Sequence, residues 1–146
     1  MRAWWLVRRP HTVGVKVLAR DGDRVLFVRH TYGDRRGWDL PGGGARRRES
    51  PADAARREAR EELGVDPPGW RPVAVVEVSG MGKRTTMHIF EAPVDPGAIH
   101  LQAEELAEGR WAPQLDPPEP LARDAGDVLA ALPAVARRRG DHHAGS

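Results

Sequence analysis

The sequence predicts an α/β domain, and three observations carry that expectation. Short apolar runs and period-two alternation recur at 12–30, 72–79 and 85–94, as strands require. One well-marked amphipathic helix lies between Ser50 and Gly64, separating the first strands from the rest. A second helical pattern, 121–132, follows the last strand.

The elements follow in order. Val13, Val15 and Val17 alternate, Asp21-Gly22-Asp23 is a turn signal, and Val25 to Val28 are consecutively apolar. Residues 12–30 therefore read as a hairpin whose second strand is covered on both faces. A polar loop (31–37) leads to WDLPGGG, a Gly-rich corner. Ser50 suits a helix N-cap, Pro51 the first helical position and Asp53 the acid-favouring first turn. Ala52, Ala55, Ala59 and Leu63 form one apolar stripe, and Gly64 supplies the left-handed end. Two strands (72–79 and 85–94) are joined by GMGKR, and Pro93 and Pro96 close the second. Residues 97–107 read as an acidic loop, 109–113 (GRWAP) as a short strand and 116–120 (DPPEP) as a connector. The helix at 121–132 is interrupted by Pro133, and 137–146 reads as a frayed tail.

At 146 residues the chain is expected to form one domain over 1–136. No apolar run reaches the ~18 residues that a membrane helix needs. The five apolar positions before Arg8 and Arg9 are too few for a signal-peptide core. With no cysteine, disulfides, thiolate catalysis and cysteine metal sites are excluded, and a cytoplasmic domain is expected. The net charge of +2 is too small for a nucleic-acid coat, so nucleic acid is not an expected partner. Of the 23 basic residues only Lys16 and Lys83 are lysine. Arginine forks suit phosphate, although an arginine-rich codon bias accounts for the excess as a whole.

The chemistry concentrates between Gly43 and Val65. On a helical wheel Glu58, Glu61 and Glu62 share a sector of roughly 100° beside the alanine stripe. Like charges at i, i+4 are unfavourable in an isolated helix. A solvated Glu/Arg face is the plain alternative, but such a cluster makes sense around a hard divalent cation such as Mg²⁺, which takes carboxylate oxygens and bridges to phosphate. Arg57 stands four residues before Glu61, where it could hold that carboxylate; Arg56 and Arg60 point to solvent. Glu49 adds a fourth acid near the helix start. Glu62 is expected on the solvent-accessible side of the helix.

This segment resembles the Nudix box, G-x5-E-x7-R-E-U-x-E-E-x-G-U with U a bulky aliphatic. Gly43, Glu49, Arg57, Glu58, Glu61, Glu62 and Gly64 match its seven invariant letters, and Val65 its last U. The likeness extends over roughly residues 12–113, through VLFVRH, GWDLPGGG and a Glu-Leu before GRWAP. Two departures stand out. Ala59 fills the first U position, and Arg46, Arg47 and Arg48 put three positive charges in a loop where an acid and a glycine are common.

The resemblance implies an α/β/α sandwich with a mixed sheet between helices. It also implies Mg²⁺-dependent hydrolysis, with Mn²⁺ as a substitute, of a nucleoside diphosphate linked to another group. Glu58, Glu61 and Glu62 would be metal ligands together with the Gly42 carbonyl, and Arg57 and Glu49 would orient them from behind. Glu61 in the box, or Glu105 downstream, would be the general base, with Glu104 and Glu108 as alternates. Arg46 to Arg48 either contact substrate phosphate or are solvated. Arg29 and His30 end a strand near the box and are candidate phosphate contacts. Trp38 either stacks on a base or sugar or packs in the core or at its lip, and the same holds for Trp4 and Trp5. His142, His143 and the 137–139 arginines read as solvated tail.

A small nucleotide is the expected partner, with no membrane; a homodimer stays open. Nothing selects among nucleoside triphosphates, ADP-ribose and nucleotide sugars: the positions of two known substrate markers fall near Met81 and Gly82, and neither marker is present. Two other functions compete. A non-catalytic nucleotide sensor on this fold would be free to lose its glutamates, yet all are present. An RNA 5′-end pyrophosphohydrolase would require a basic track beyond the pocket.

Overall fold

A computed structural model describes residues 11–31, 37–80 and 82–133. Trp4, Trp5, most of the 31–37 loop, Met81 and the tail with Arg137–Arg139, His142 and His143 lie outside the described residues. The elements are β1 (His11–Asp21), β2 (Arg24–His30), β3 (Gly42–Gly44), α1 (Pro51–Leu63), β4 (Arg71–Gly80), β5 (Lys83–Pro93), a 3-10 turn (Pro96–Ala98), β6 (Leu106–Pro113) and α2 (Ala125–Ala130).

The strands form one sheet in the order β4-β5-β1-β2-β6, with β3 also on β1. β1 runs parallel to β5 and the remaining pairs are antiparallel, so the sheet is mixed. Side chains alternate along a strand, and each face of β1 meets a different layer. Val15, Val17 and Ala19 pack with Ala54, Ala55, Ala59 and Leu63 of α1. Leu18 packs with Phe27, Trp38, Leu40, Ile89 and Val128 of α2 on the other face. The α/β/α sandwich is thus present, and Ala59, fully buried, brings α1 close to the sheet where a larger residue would hold it off.

The feature that positions the site is a split in the sheet. β1 and β2 pair only beside their turn, at Arg20↔Val25 and Asp21↔Arg24. Farther along, β2 diverges from β1 while keeping β6 on its other edge along its whole length, and Val28 bridges to Asp39. The edge of β1 that β2 abandons is taken by β3, with Val15 opposite Gly43 and Lys16 opposite Gly42. The Gly-rich corner therefore becomes a short strand lying against α1. A Cβ on Gly42, whose φ is 153°, would stand 2.0 Å from the Val15 carbonyl oxygen; one on Gly43 would stand 2.6 Å from Glu58 Oε1. Backbone excludes any side chain at Gly42, and a side chain at Gly43 would push the Glu58 carboxylate aside.

α1 forms for the reasons its sequence suggests. Ser50 Oγ accepts from Asp53 N at 3.1 Å, and Gly64 (φ 68°) ends the helix with its N–H on the Arg60 carbonyl. Two expectations are corrected. The last helix spans Ala125–Ala130, not 121–132. Trp38 N donates to the Pro120 carbonyl and Ala122 N to that of Trp38, so the backbone around Leu121 bonds across to Trp38 instead of within a helix. The final strand begins at Leu106 rather than 109, because β2 offers partners as far as His30. Among the described residues no helix is long and apolar enough to cross a membrane.

Candidate active site

Arg57 is the hub of the acidic segment. Its Nε and Nη2 donate to the two oxygens of Glu49 at 2.8 and 2.9 Å, a bidentate fork. Nη1 reaches Glu58 Oε1 at 3.0 Å and Glu61 Oε2 at 3.3 Å, and Nη2 also donates to the Gly44 carbonyl at 3.0 Å. Glu49 accepts from Arg46 N at 2.9 Å as well. The guanidinium fork first, and that backbone N–H second, hold the Glu49 carboxyl down at about 2. The loop before α1, the strand β3 and the acidic face of the helix are thus tied to one cation. Arg56 and Arg60, on the outer side, both bind Asp66 just beyond the helix.

The three box carboxylates sit in different environments. The Glu61 side chain is half exposed, while that of Glu58 keeps 12% of its accessible surface. Glu62 is the correction: at 1% exposure it is buried, not on the solvent side. The wheel places it at the edge of the apolar stripe, and β3 covers that edge. Its Oε1 accepts from Gly42 N at 2.9 Å. Burial foremost, then the Glu58 charge, push the Glu62 carboxyl up to about 8, against the Gly42 N–H and Lys16, which favour its ionised form. Glu58 is raised too, chiefly by burial, with Arg57 opposing.

The loop that follows the 3-10 turn closes on the end of α1. His100 N donates to the Leu63 carbonyl and Gln102 N to that of Glu62, at 2.8 and 2.9 Å. Gln102 Oε1 accepts from Glu104 N and Glu105 N. Thr31, at the end of β2, donates its N–H to the Glu105 carbonyl and its hydroxyl to that of Glu104. Glu105 is thereby brought within electrostatic reach of Glu58, Glu62 and His30. Burial and Lys16 together lower the His30 pKa.

Lys16 is a participant that the sequence did not single out. Its Nζ donates to Asp39 Oδ2 at 2.9 Å and to the Leu40 carbonyl at 3.3 Å. A lone lysine between valines on a strand is the signal that could have found it, and Asp39 follows from the bridge to Val28. Gln102, which orders the Glu105 loop, has no such signal.

The remaining candidates scatter. Arg29 pairs with Glu108 and lies 5.0 Å over the Trp38 ring, with Arg110 at 5.8 Å. Trp38 is 5% exposed and packs in the core of the α2 side. Arg46, Arg47 and Arg48 are exposed around the rim of a cleft at the start of α1. The Gly42 carbonyl belongs to a strand pressed against Glu62 through its N–H.

The donor set suits a hard divalent cation in kind. It consists of carboxylates, one buried and one largely buried, whose pKa values are raised chiefly by burial and further by neighbouring acids, with Arg57 opposing at Glu58 and Lys16 at Glu62. Among the described residues no three carboxylates or imidazoles stand close enough, as they lie, to share one ion; Arg57 occupies Glu58 and Glu61.

The raised Glu62 pKa has a consequence for stability. The folded state binds its proton more tightly than the unfolded chain, so this contribution is complete below the ordinary pKa of 4.5 and is lost as pH rises through about 8. In chelator-treated protein the Tm difference between wild type and Glu62→Gln should therefore move in favour of the glutamine variant from pH 5 to pH 8.5. A movement of at least about 5 °C is expected, the size of roughly 1–2 kcal/mol. A constant difference across that range would show that Glu62 titrates normally.

A mixed sheet between two helical layers, with the acids of one helix gathered against a glycine strand, defines an α/β/α sandwich whose polar site lies on a loop–helix–loop segment. The chain belongs to the NUDIX domain family, whose model matches residues 8–132. It is similar to the 8-oxo-dGDP phosphatase NUDT18 of Danio rerio, 32% identical over 84% of this chain and 37% of that protein. It is also similar to the CMP-5′-(N-acetyl-N-hydroxy-3-aminopropyl)phosphonate hydrolase of Streptomyces rubellomurinus, 34% identical over 85% of this chain and 61% of that protein. The chain thus spans between about a third and three-fifths of the length of these curated relatives. Among solved structures, the MutT NUDIX hydrolase from Burkholderia pseudomallei matches with a TM-score of 0.75 at 22% identity, covering 84% of this chain and 98% of that one. The MutT protein from Methanosarcina mazei Go1 matches at 0.65 and 23%, covering 96% and 99%. These two likenesses show the fold.

Proposed function

We propose that the chain is a divalent-metal-dependent pyrophosphohydrolase that cleaves a phosphoanhydride of a nucleoside diphosphate joined to another group. The observation that carries this reading is the packing of two carboxylates against the glycine strand, Glu62 buried on the Gly42 N–H and Glu58 partly buried against Gly43, with Glu61 on the same helix. Family membership and the names of the two relatives, one a nucleoside diphosphate phosphatase and one a hydrolase of a CMP conjugate, support it.

In this reading Glu58, Glu61, Glu62 and the Gly42 carbonyl hold Mg²⁺, or Mn²⁺ in its place. The bound metal neutralises charge on the phosphates and makes water more acidic. Arg57, fixed by Glu49, aligns Glu58 and Glu61 from behind and keeps the helix face in register with β3. Lys16 limits the negative charge around Glu62 and His30. Water attacks one phosphorus, the bridging P–O bond breaks, and the other phosphate leaves with the bond electrons. Glu105 takes the proton of the attacking water, from a loop that Gln102 and Thr31 hold against the end of α1. The chain works in the cytoplasm on a small nucleotide.

A panel of nucleoside triphosphates, ADP-ribose and nucleotide sugars, assayed for released phosphate and nucleotide, tests this directly. Hydrolysis of at least one substrate is expected with Mg²⁺ or Mn²⁺, to be abolished by chelator and restored by metal. Activity that survives exhaustive chelation, or no hydrolysis across the panel, would overturn the reading.

A further inference from the structure

We propose that the cleft at the start of α1 is a second anion site, which receives the terminal phosphate or phosphate chain of the compound cleaved at the acidic cluster. This rests on the hydrolase reading and narrows it: the group joined to the nucleoside diphosphate is itself anionic.

The cleft has a volume of about 560 Å³, within the ordinary range for ligand pockets. Arg46, Arg47 and Arg48 line one side. His11 and Thr12 of β1 and His88 of β5 line the other, brought there by the parallel register that sets His88 beside Val15. Arg47 and Arg48 have no acidic partner among the described residues. The one acid of the lining, Glu49, is already committed on both oxygens to Arg57 and the Arg46 N–H. The lining therefore carries two guanidiniums, those of Arg47 and Arg48, with no counter-charge among the described residues, beside a third, Arg46, that reaches Glu61.

The cleft also leads to the reaction centre. Arg46 Nη2 lies 3.6 Å from Glu61 Oε1, so the first arginine stands between the acidic face of α1 and the other two. A phosphate chain anchored at the acidic cluster and extended along the loop meets successive forks, each able to bind phosphate oxygens in pairs. A neutral sugar in the same place could accept hydrogen bonds from the forks but would leave their charge uncompensated.

Inorganic tripolyphosphate, titrated into metal-free protein at low salt, tests the site without turnover. It should shift the imidazole signals of His11 and His88 and the guanidinium signals of the loop. Arg47→Ala/Arg48→Ala should weaken binding at least about tenfold, the loss expected for charge-assisted contacts to phosphate. Arg24→Ala, which removes a charge at the turn between β1 and β2, should leave binding unchanged. In turnover, the ratio of kcat/KM for a nucleoside triphosphate to that for the same-base nucleoside diphosphate hexose should fall at least about tenfold in the double variant. Equal tripolyphosphate affinity in wild type and double variant, shifts confined to other residues, or an unchanged kcat/KM ratio would overturn the proposal. A protein that binds tripolyphosphate in this cleft yet hydrolyses nothing keeps the anion site and loses the hydrolase reading.

Discussion

Replacing Glu62 by Gln is expected to lower turnover at least about a hundredfold, a loss of roughly 2.7 kcal/mol in transition-state stabilisation. The substitution keeps the shape and an acceptor for the Gly42 N–H, so it changes little except the charge. Glu62 is the deepest of the acids, at 1% exposure, and water can do little there to substitute for a missing carboxylate. Burial already favours the neutral form of this side chain, so a neutral amide suits the position, and the thermal melt separates a loss of activity from a loss of fold. The measurement is kcat at saturating metal, paired with a thermal melt. Undiminished turnover in a folded Glu62→Gln would remove Glu62 from the metal site.

The second large effect concerns the proton acceptor. Glu105→Gln should reduce turnover by roughly 10²–10⁴, the usual contribution of general-base catalysis, with its metal requirement near that of wild type. Glu61→Gln should instead raise the metal concentration needed for half-maximal activity. The basis is placement: Glu105 is exposed, yet its backbone is fixed through Gln102 and Thr31 against the end of α1, within reach of Glu58 and Glu62. Normal turnover in Glu105→Gln, with Glu61→Gln inactive at saturating metal, would move the base onto α1.

Much of this arrangement is local and therefore legible in the chain. Ser50, Pro51 and Gly64 delimit α1 almost to the residue, because caps and breakers act through neighbouring backbone groups. Gly43, Glu49, Arg57, Glu58, Glu61 and Glu62 lie within one continuous segment, so their spacing alone suggests a cluster. The pattern at 121–132 misleads for the opposite reason. Its helical periodicity is real, but the backbone hydrogen bonds of residues 120–122 go to Trp38, more than eighty positions earlier, and no local signal announces such a partner.

The sequence by itself determined the α/β class, the boundaries of α1, the family resemblance and the set of acids. Only the tertiary structure decided which carboxylate is buried. A helical wheel gives the direction of a side chain but not what lies in that direction. β3 occupies the edge of β1 that β2 leaves, and two glycines without Cβ atoms let it press onto Glu62 and Glu58. The same long-range pairing places Lys16 beside Asp39, Thr31 against Glu105, and His11 and His88 across from Arg46–Arg48. Strand pairing joins residues far apart in the chain, and its register is set by the packing of the whole sheet, which no short segment encodes.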